Sequence, residues 1–288
     1  MIPAQFDYVV AKTLGEAVSL LAENPDEAKL LAGGHSLIPA MKLRLAQPAT
    51  LIDIARIKDL SYIREEAGQI RIGATATHYQ IETSDRLKAI CPLLPETASH
   101  IGDVQVRNKG TIGGSLAHAD PAADWPAAIL ALDSEIVAVS GKGDRVIKAT
   151  DFFVGLMTSA LEPNEILREI RIKAPGGRFG QSYQKMHQPA SGFAVVGVAV
   201  SLTLDAGGKV ASVGIGITGA ASSAYRATSV EKALIGQTVD KATAVAAAAH
   251  ATDAIDVNGD LYASAEYRRH LVKVYTARAI QAAAASVK

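Results

Sequence analysis

Two short glycine-bearing stretches constrain this chain most: Ala32-Gly33-Gly34-His35-Ser36-Leu37 and Thr111-Ile112-Gly113-Gly114-Ser115. The residues from Glu27 to Ala32 read as a short buried strand running into Gly33-Gly34. Beyond it, Leu37, Ile38, Met41, Leu43 and Leu45 predict a brief helix closed by Pro48. Strand, glycine turn and helix together make a phosphate cradle, because consecutive backbone N–H groups face one way and a missing Cβ admits an anion. Hydroxyls flank both stretches (Ser36; Thr111 and Ser115), and Asp120 and Asp124 follow the second. Such aspartates can accept hydrogen bonds from a ribose or ribityl hydroxyl. Either stretch alone reads equally well as a plain turn or a bulge. The pair, matching no common nucleotide fingerprint, points to a flavin.

A third glycine run, Gly214-Ile215-Gly216-Ile217-Thr218-Gly219, fits the G-x-G-x-x-G pattern, but its context is wrong for a dinucleotide site. The glycines alternate with β-branched residues and no helix opens after them, so a close-packed antiparallel strand is the expectation. Elsewhere, Leu51–Ile54 predicts a strand, Tyr62–Thr75 a hairpin turning at Ala67-Gly68, and Pro92–Ile101 a helix. Pro121–Leu132 predicts another helix, with Asp120 as its cap and Asp124 in its first turn. Strands follow at Glu135–Val139 and Glu165–Lys173. Ala174-Pro175-Gly176-Gly177 then reads as a linker. Beyond it, Ser182–Met186, Phe193–Leu204 and Val210–Thr218 predict three antiparallel strands, followed by helices over Ser229–Leu234, Lys241–Ile255 and Ala265–Val287.

Composition narrows the function. Lys+Arg and Asp+Glu both number 29, so no global field attracts nucleic acid or anionic lipid. A single cysteine, Cys91, cannot make an internal disulfide or hold an iron–sulfur cluster, so any such centre belongs to a partner; its apolar neighbourhood suits a buried hydrophobe. No secretory signal or spanning apolar run is evident, which points to the cytoplasm, with the inner face of the membrane reached only through partners. Aromatic residues make up 5% of the chain, so a bulky ligand is expected in a cleft between subdomains and not in an aromatic pocket. His35 in Gly-Gly-His-Ser could attach a flavin covalently, but a hydrogen-bonding loop histidine with non-covalent binding is the expectation. His118, Asp120 and Asp124 match no metal motif, no G-x-S-x-G or H-E-x-x-H occurs, and no catalytic residue is assigned. Lys42, Arg44 and Arg107-Asn108-Lys109 read first as solvated basic faces.

Ala32 to Ala46 and Thr111 to Asp124, the latter continuing through Asp120-Pro121-Ala122-Ala123-Asp124, closely resemble the two flavin-binding segments of one family. This is the FAD-carrying medium subunit of molybdenum hydroxylases, the group of aerobic carbon monoxide dehydrogenases and bacterial xanthine, nicotine and aldehyde dehydrogenases. Glu162-Pro163-Asn164-Glu165-Ile166-Leu167 and Glu266-Tyr267-Arg268-Arg269-His270-Leu271 also look like its signatures, so the resemblance spans nearly the whole chain.

The resemblance implies an α+β fold: a two-part FAD-binding region of the vanillyl-alcohol-oxidase (PCMH) type over 1–175, subdivided near 57, then a three-stranded antiparallel sheet with helices over 176–288. It implies that Leu31, Ala32, Gly33, Gly34, His35, Ser36 and Leu37, with Thr111, Ile112, Gly113, Gly114, Ser115 and Ala117, wrap the diphosphate and ribityl chain. Asp120 and Asp124 would serve the sugar hydroxyls. Ile101 would pack on the cofactor, Leu161 would meet the isoalloxazine edge, and Lys185 would lie near the flavin's polar edge. Phe193 stands where some relatives have tyrosine, which allows a ring over the flavin but no hydroxyl contact. FAD is the only cofactor expected on this chain. The molybdenum cofactor would sit in a large partner subunit and 2Fe-2S clusters in a small one, the whole a dimer of heterotrimers, with electrons passing from the clusters to FAD and on to an external acceptor. A stand-alone flavin oxidase and a non-catalytic assembly module are the alternatives. Ser115-Leu116-Ala117-His118 departs from the family pattern and leaves the substrate open.

Overall fold

Apolar residues near the N-terminus build a small parallel layer. The structure, a computed structural model describing residues 1–288, begins with β1 (Asp7–Val10), α1 (Leu14–Glu23), β2 (Ala28–Leu31), α2 (Leu37–Lys42) and β3 (Thr50–Asp53). The three strands run parallel in the order β1-β3-β2. Helix α1 starts where the Thr13 side chain accepts the Glu16 N–H, and it buries Ala17, Val18 and Leu21. β1 and α1 lie outside the elements that periodicity predicts.

The second lobe opens with β4 (Ile63–Glu66) and β5 (Gln69–Gly73). Ala67 and Gly68 turn between them with φ of 51° and 75°, the double left-handed turn that matches strand twist. Six helices follow: α3 (His78–Thr83), α4 (Asp85–Ile90), α5 (Leu93–Ser99), α6 (Val104–Lys109), α7 (Ile112–His118) and α8 (Trp125–Ala131). Then come β6 (Glu135–Ser140), β7 (Gly143–Lys148), the small pair β8 (Phe153–Gly155) and β9 (Thr158–Ser159), and β10 (Ile166–Lys173). The antiparallel sheet has the order β4-β5-β10-β6-β7. Its apolar face, with Ile70, Ile72, Ile136 and Ile170, shares one core with Trp125 and Phe152.

Two local expectations are corrected here. The second glycine stretch is neither turn nor bulge but the first turn of α7, with Thr111 as the cap accepting the Gly114 N–H at 3.1 Å. The helix expected from Pro121 begins only at Trp125, since Asp120 uses its Oδ1 to accept the Ala122 N–H at 2.8 Å in a separate turn. Asp124 occupies the cap position without capping, because its carboxylate is drawn elsewhere.

The C-terminal part has β11 (Arg178–His187), β12 (Ala194–Leu204), β13 (Val210–Thr218) and the two-residue β14 (Tyr225–Arg226), antiparallel in that order. The helices α9 (Thr228–Leu234), α10 (Lys241–Ala248) and α11 (Ala265–Ala285) follow. Three long strands are as expected, and the short fourth extends one edge. α10 stops at Ala248, short of the expected Ile255.

The third glycine run sits in β13, as an antiparallel strand. Its spacing has a packing cause: a Cβ on Gly214 would run into the Ala131 carbonyl oxygen and one on Gly216 into that of Ala127, both on α8. The alternating glycines therefore seat α8 directly on the C-terminal sheet. Gly216→Val is expected to lower stability by about 1–3 kcal/mol through overpacking. Gly176→Val, where a Cβ meets nothing within 4 Å, should leave the denaturant midpoint unchanged.

Candidate functional site

The loop after β2 and the start of α7 meet. A Cβ on Gly33 would overlap the Lys109 carbonyl oxygen and lie 2.8 Å from Gly110 Cα, so only glycine allows this approach. On the other side, the Ile112 and Gly113 N–H groups donate to the Ala76 and Ala74 carbonyls at 3.1 and 2.9 Å, and the His78 N–H donates to Gly110 O at 3.0 Å. These bonds pin the second stretch to the segment between β5 and α3. Where the two stretches meet lies a cleft of about 680 Å³, within the size range of small-molecule and cofactor sites.

Leu31, Ala32, Gly33, Gly34, His35, Ser36 and Leu37 line this cleft. So do Ile101, Thr111, Gly113, Gly114, Ser115, Ala117, Asp120, Asp124, Leu161 and Phe193. Ile112 and Lys185 do not. Ile112 is fully buried in the core beneath, and Lys185 stands behind Asp124. The cleft also takes in Thr75, His78, Gly110 and Met157, which sequence reasoning missed. Thr77 and Gln80 form a capping box at the start of α3, a T-x-x-Q signal that could have placed His78 on a helix start.

The two glycine stretches differ in what they offer. None of the backbone N–H groups from Ala32 to Leu37 has an acceptor within the protein, and all six residues border the cleft. In the second stretch four of the five N–H groups are engaged, that of Thr111 being free: Gly114 donates to Thr111 Oγ1 and Ser115 to Thr111 O at 3.0 Å, besides the two bonds above. Most of the free amide donors thus come from the first loop, with the Thr111 N–H the one from the second. The second contributes close approach and the Ser115 hydroxyl. His35 places Nδ1 3.2 Å from Gly33 O and is otherwise exposed.

Beneath the cleft floor lies a buried polar cluster. Lys185 Nζ stands 2.8 and 2.9 Å from the Asp124 oxygens and donates to His100 O at 2.9 Å, while the buried Tyr183 hydroxyl donates to Asp124 Oδ1. Burial pushes the Asp124 carboxyl above the usual carboxylate range, against the pull of Lys185 and of both hydrogen bonds. Burial likewise drives the Tyr183 hydroxyl well above its ordinary value, so it stays a donor. Arg107, one of the basic residues near the second stretch, is engaged in structure. It pairs with Glu82 at 2.7 Å and donates to the carbonyls of Ile101 and Gly102, holding the turn that carries Ile101. Arg145 acts similarly on the Leu161 loop, pairing with Glu165 and donating to Ala160 O at 2.7 Å. Cys91 is buried, and desolvation pushes its thiol up to about 12, so it is inert.

Glu96 accepts the Tyr183 N–H at 2.9 Å, and burial raises its carboxyl from 4.5 to about 6. The fold therefore favours the protonated form. Its contribution to stability is fully present below 4.5 and is lost as pH rises through about 6. Glu96→Gln keeps the acceptor and removes the titration. Relative to wild type it should gain about 1 kcal/mol between about pH 4 and pH 7, once solvent screening of a part-exposed group is allowed for, as read from denaturant unfolding.

Two family models match the chain: the FAD binding domain in molybdopterin dehydrogenase over residues 4–175, and the CO dehydrogenase flavoprotein C-terminal domain over residues 181–283. The chain is 40% identical over 283 residues to the carbon monoxide dehydrogenase medium chain of Hydrogenophaga pseudoflava, covering 98% of each. It is 36% identical to the 6-hydroxypseudooxynicotine dehydrogenase complex subunit alpha of Paenarthrobacter nicotinovorans, covering 97% of this chain and 95% of that one. Its structure superposes on a carbon monoxide dehydrogenase chain from Hydrogenophaga pseudoflava with a TM-score of 0.96 at 41% identity, covering 100% of both.

Proposed function

The chain belongs to the family of FAD-binding medium subunits of molybdopterin dehydrogenases, and from that premise we propose how its cleft holds FAD and what the subunit does. It is the FAD-carrying subunit of an oxidoreductase of the molybdenum hydroxylase kind. The acceptorless amides from Ala32 to Leu37 fit an anionic diphosphate, which needs several converging donors and no side chain in the way. Gly33 and Gly110 hold the two loops close enough to share it. Ser115 adds a hydroxyl donor, Thr111 shapes the turn, and Ala117 and Gly114 leave room beside it. Asp120, whose Oδ1 alone is used within the chain, offers its other oxygen to a sugar hydroxyl. Asp124 offers a remaining lone pair. Ile101, Leu161 and Phe193 flank the ring system, Phe193 being half-exposed on the hairpin between β11 and β12. Lys185 acts through Asp124, and Ile112 supports the second stretch from below.

Bound FAD supplies the one- and two-electron chemistry that lets such a subunit pass electrons between centres. The chain's own part is binding, orientation and exclusion of water. Arg107 and Arg145 fix the Ile101 and Leu161 loops, and the Asp124–Tyr183–Lys185 cluster sets the polarity under the cleft floor.

We assign the cofactor-binding part to residues 1–175, divided near 57, and the remaining sheet-and-helix part to 176–288. The partners are a large molybdenum-cofactor subunit and a small 2Fe-2S subunit, arranged as a dimer of heterotrimers, with carbon monoxide dehydrogenase-like chemistry on the large one. No helix of the chain is long and apolar enough to cross a membrane, and we place the complex in the cytoplasm. The observation that carries the FAD site is the row of free amides on residues that border the cleft. Purified complex should show flavin and iron–sulfur absorption in fixed proportion, and the isolated chain should take up one FAD and release it on denaturation, since attachment is non-covalent. A well-folded chain that stays colourless in excess FAD would refute the reading.

A further inference from the structure

His78, the first residue of α3, is 4% exposed and borders the cleft where the two glycine stretches meet. Trp125 Nε1 stands 3.0 Å from its Nδ1. An indole N–H can only donate, so Nδ1 must be the bare, accepting nitrogen and the ring proton sits on Nε2. Two features fix the ring further. The His78 backbone N–H donates to Gly110 O, and the indole and imidazole rings lie 5.9 Å apart at 46°. A Cβ on Gly110 would come within 2.6 Å of Nε2, so only glycine there leaves room for that edge of the ring. Nε2 has no acceptor anywhere in the protein.

We propose that His78 is a cofactor-positioning residue: a neutral imidazole, held in the Nε2–H form by Trp125, that donates one hydrogen bond to a diphosphate oxygen of FAD at the junction of the two glycine loops. Burial, with His35 and Arg107 nearby, lowers the ring to about 4, so it stays neutral at working pH. A neutral donor suits this place, because Trp125 leaves no room for a second ring proton and the free amides of Ala32 to Leu37 already supply the anion's other partners. The inference rests on the FAD reading above and adds a residue outside the two glycine stretches.

The test uses the full chain and FAD. Imidazole ¹⁵N spectra of the apo protein should show one protonated Nε2 and a bare Nδ1 at His78, and FAD should move the Nε2 proton downfield. His78→Leu should weaken FAD binding about 10- to 100-fold, the loss of one hydrogen bond to a charged acceptor. His78→Gln, whose amide nitrogen can reach the same position, should recover most of it. Wild type that binds FAD with no shift of the Nε2 proton overturns the inference and leaves the FAD reading intact, as does a His78→Leu variant that binds equally tightly. Wild type that binds no FAD overturns the reading beneath it. If His78→Leu unfolds, the ¹⁵N result on wild type decides alone.

Discussion

Gly33→Val is expected to purify colourless. The substituted side chain cannot fit between the first loop and the backbone of Lys109 and Gly110, and what it meets is main chain, which cannot swing aside as a flexible side-chain tip would. The loop must move away, and its amides leave the diphosphate together. Two lost hydrogen bonds to a charged group at about 1.5–3 kcal/mol each correspond to a loss of about 10²–10⁴ in FAD affinity. All three cores close without Gly33, which is in none of the N-terminal, Trp125 and C-terminal clusters, so far-ultraviolet dichroism of the apo protein should stay as in wild type. Fluorescence titration with FAD reads the difference. Wild-type affinity in a folded Gly33→Val protein would mean that the loops need not touch.

Asp124→Ala should destabilise the apo protein by about 3–5 kcal/mol, the cost of leaving one member of a buried ion pair alone. The Lys185 side chain is 1% exposed and its remaining acceptor is the single carbonyl of His100, so the ammonium has nowhere to go. Tyr183, fully buried, loses its acceptor at the same time. The double variant Asp124→Ala/Lys185→Met should recover much of the loss, because the uncompensated charge is gone. Denaturant unfolding of the two variants in parallel measures it. Equal stability of the single and double variants would show that Lys185 finds water or another partner.

The residues differ in how much of this the sequence disclosed. The strand into Gly33-Gly34, the hairpin at Ala67-Gly68 and the three long C-terminal strands were legible, because glycine placement and alternation follow from backbone geometry alone. Gly214 and Gly216 could be recognised as a packed strand, yet the reason for them, the carbonyls of α8, lies at Ala127 and Ala131, far away in the chain. Thr111 to Ser115 looked like a second row of amide donors. Only the structure places it in a helix start where four of the five N–H groups are already engaged with Thr111, Ala74 and Ala76. Asp120 was expected as a helix cap and instead closes a local turn, a competition that short polar side chains settle by what is nearest. Asp124, Tyr183 and Lys185 come together across the junction of lobe and C-terminal sheet, and His78 meets Trp125 across the second lobe. Such pairings leave no local trace in sequence.

The most direct measurement is a crystal structure of the FAD-loaded protein. The account predicts diphosphate oxygens within about 3 Å of the amide nitrogens between Ala32 and Leu37. A diphosphate held elsewhere, with those amides facing only water, would contradict it.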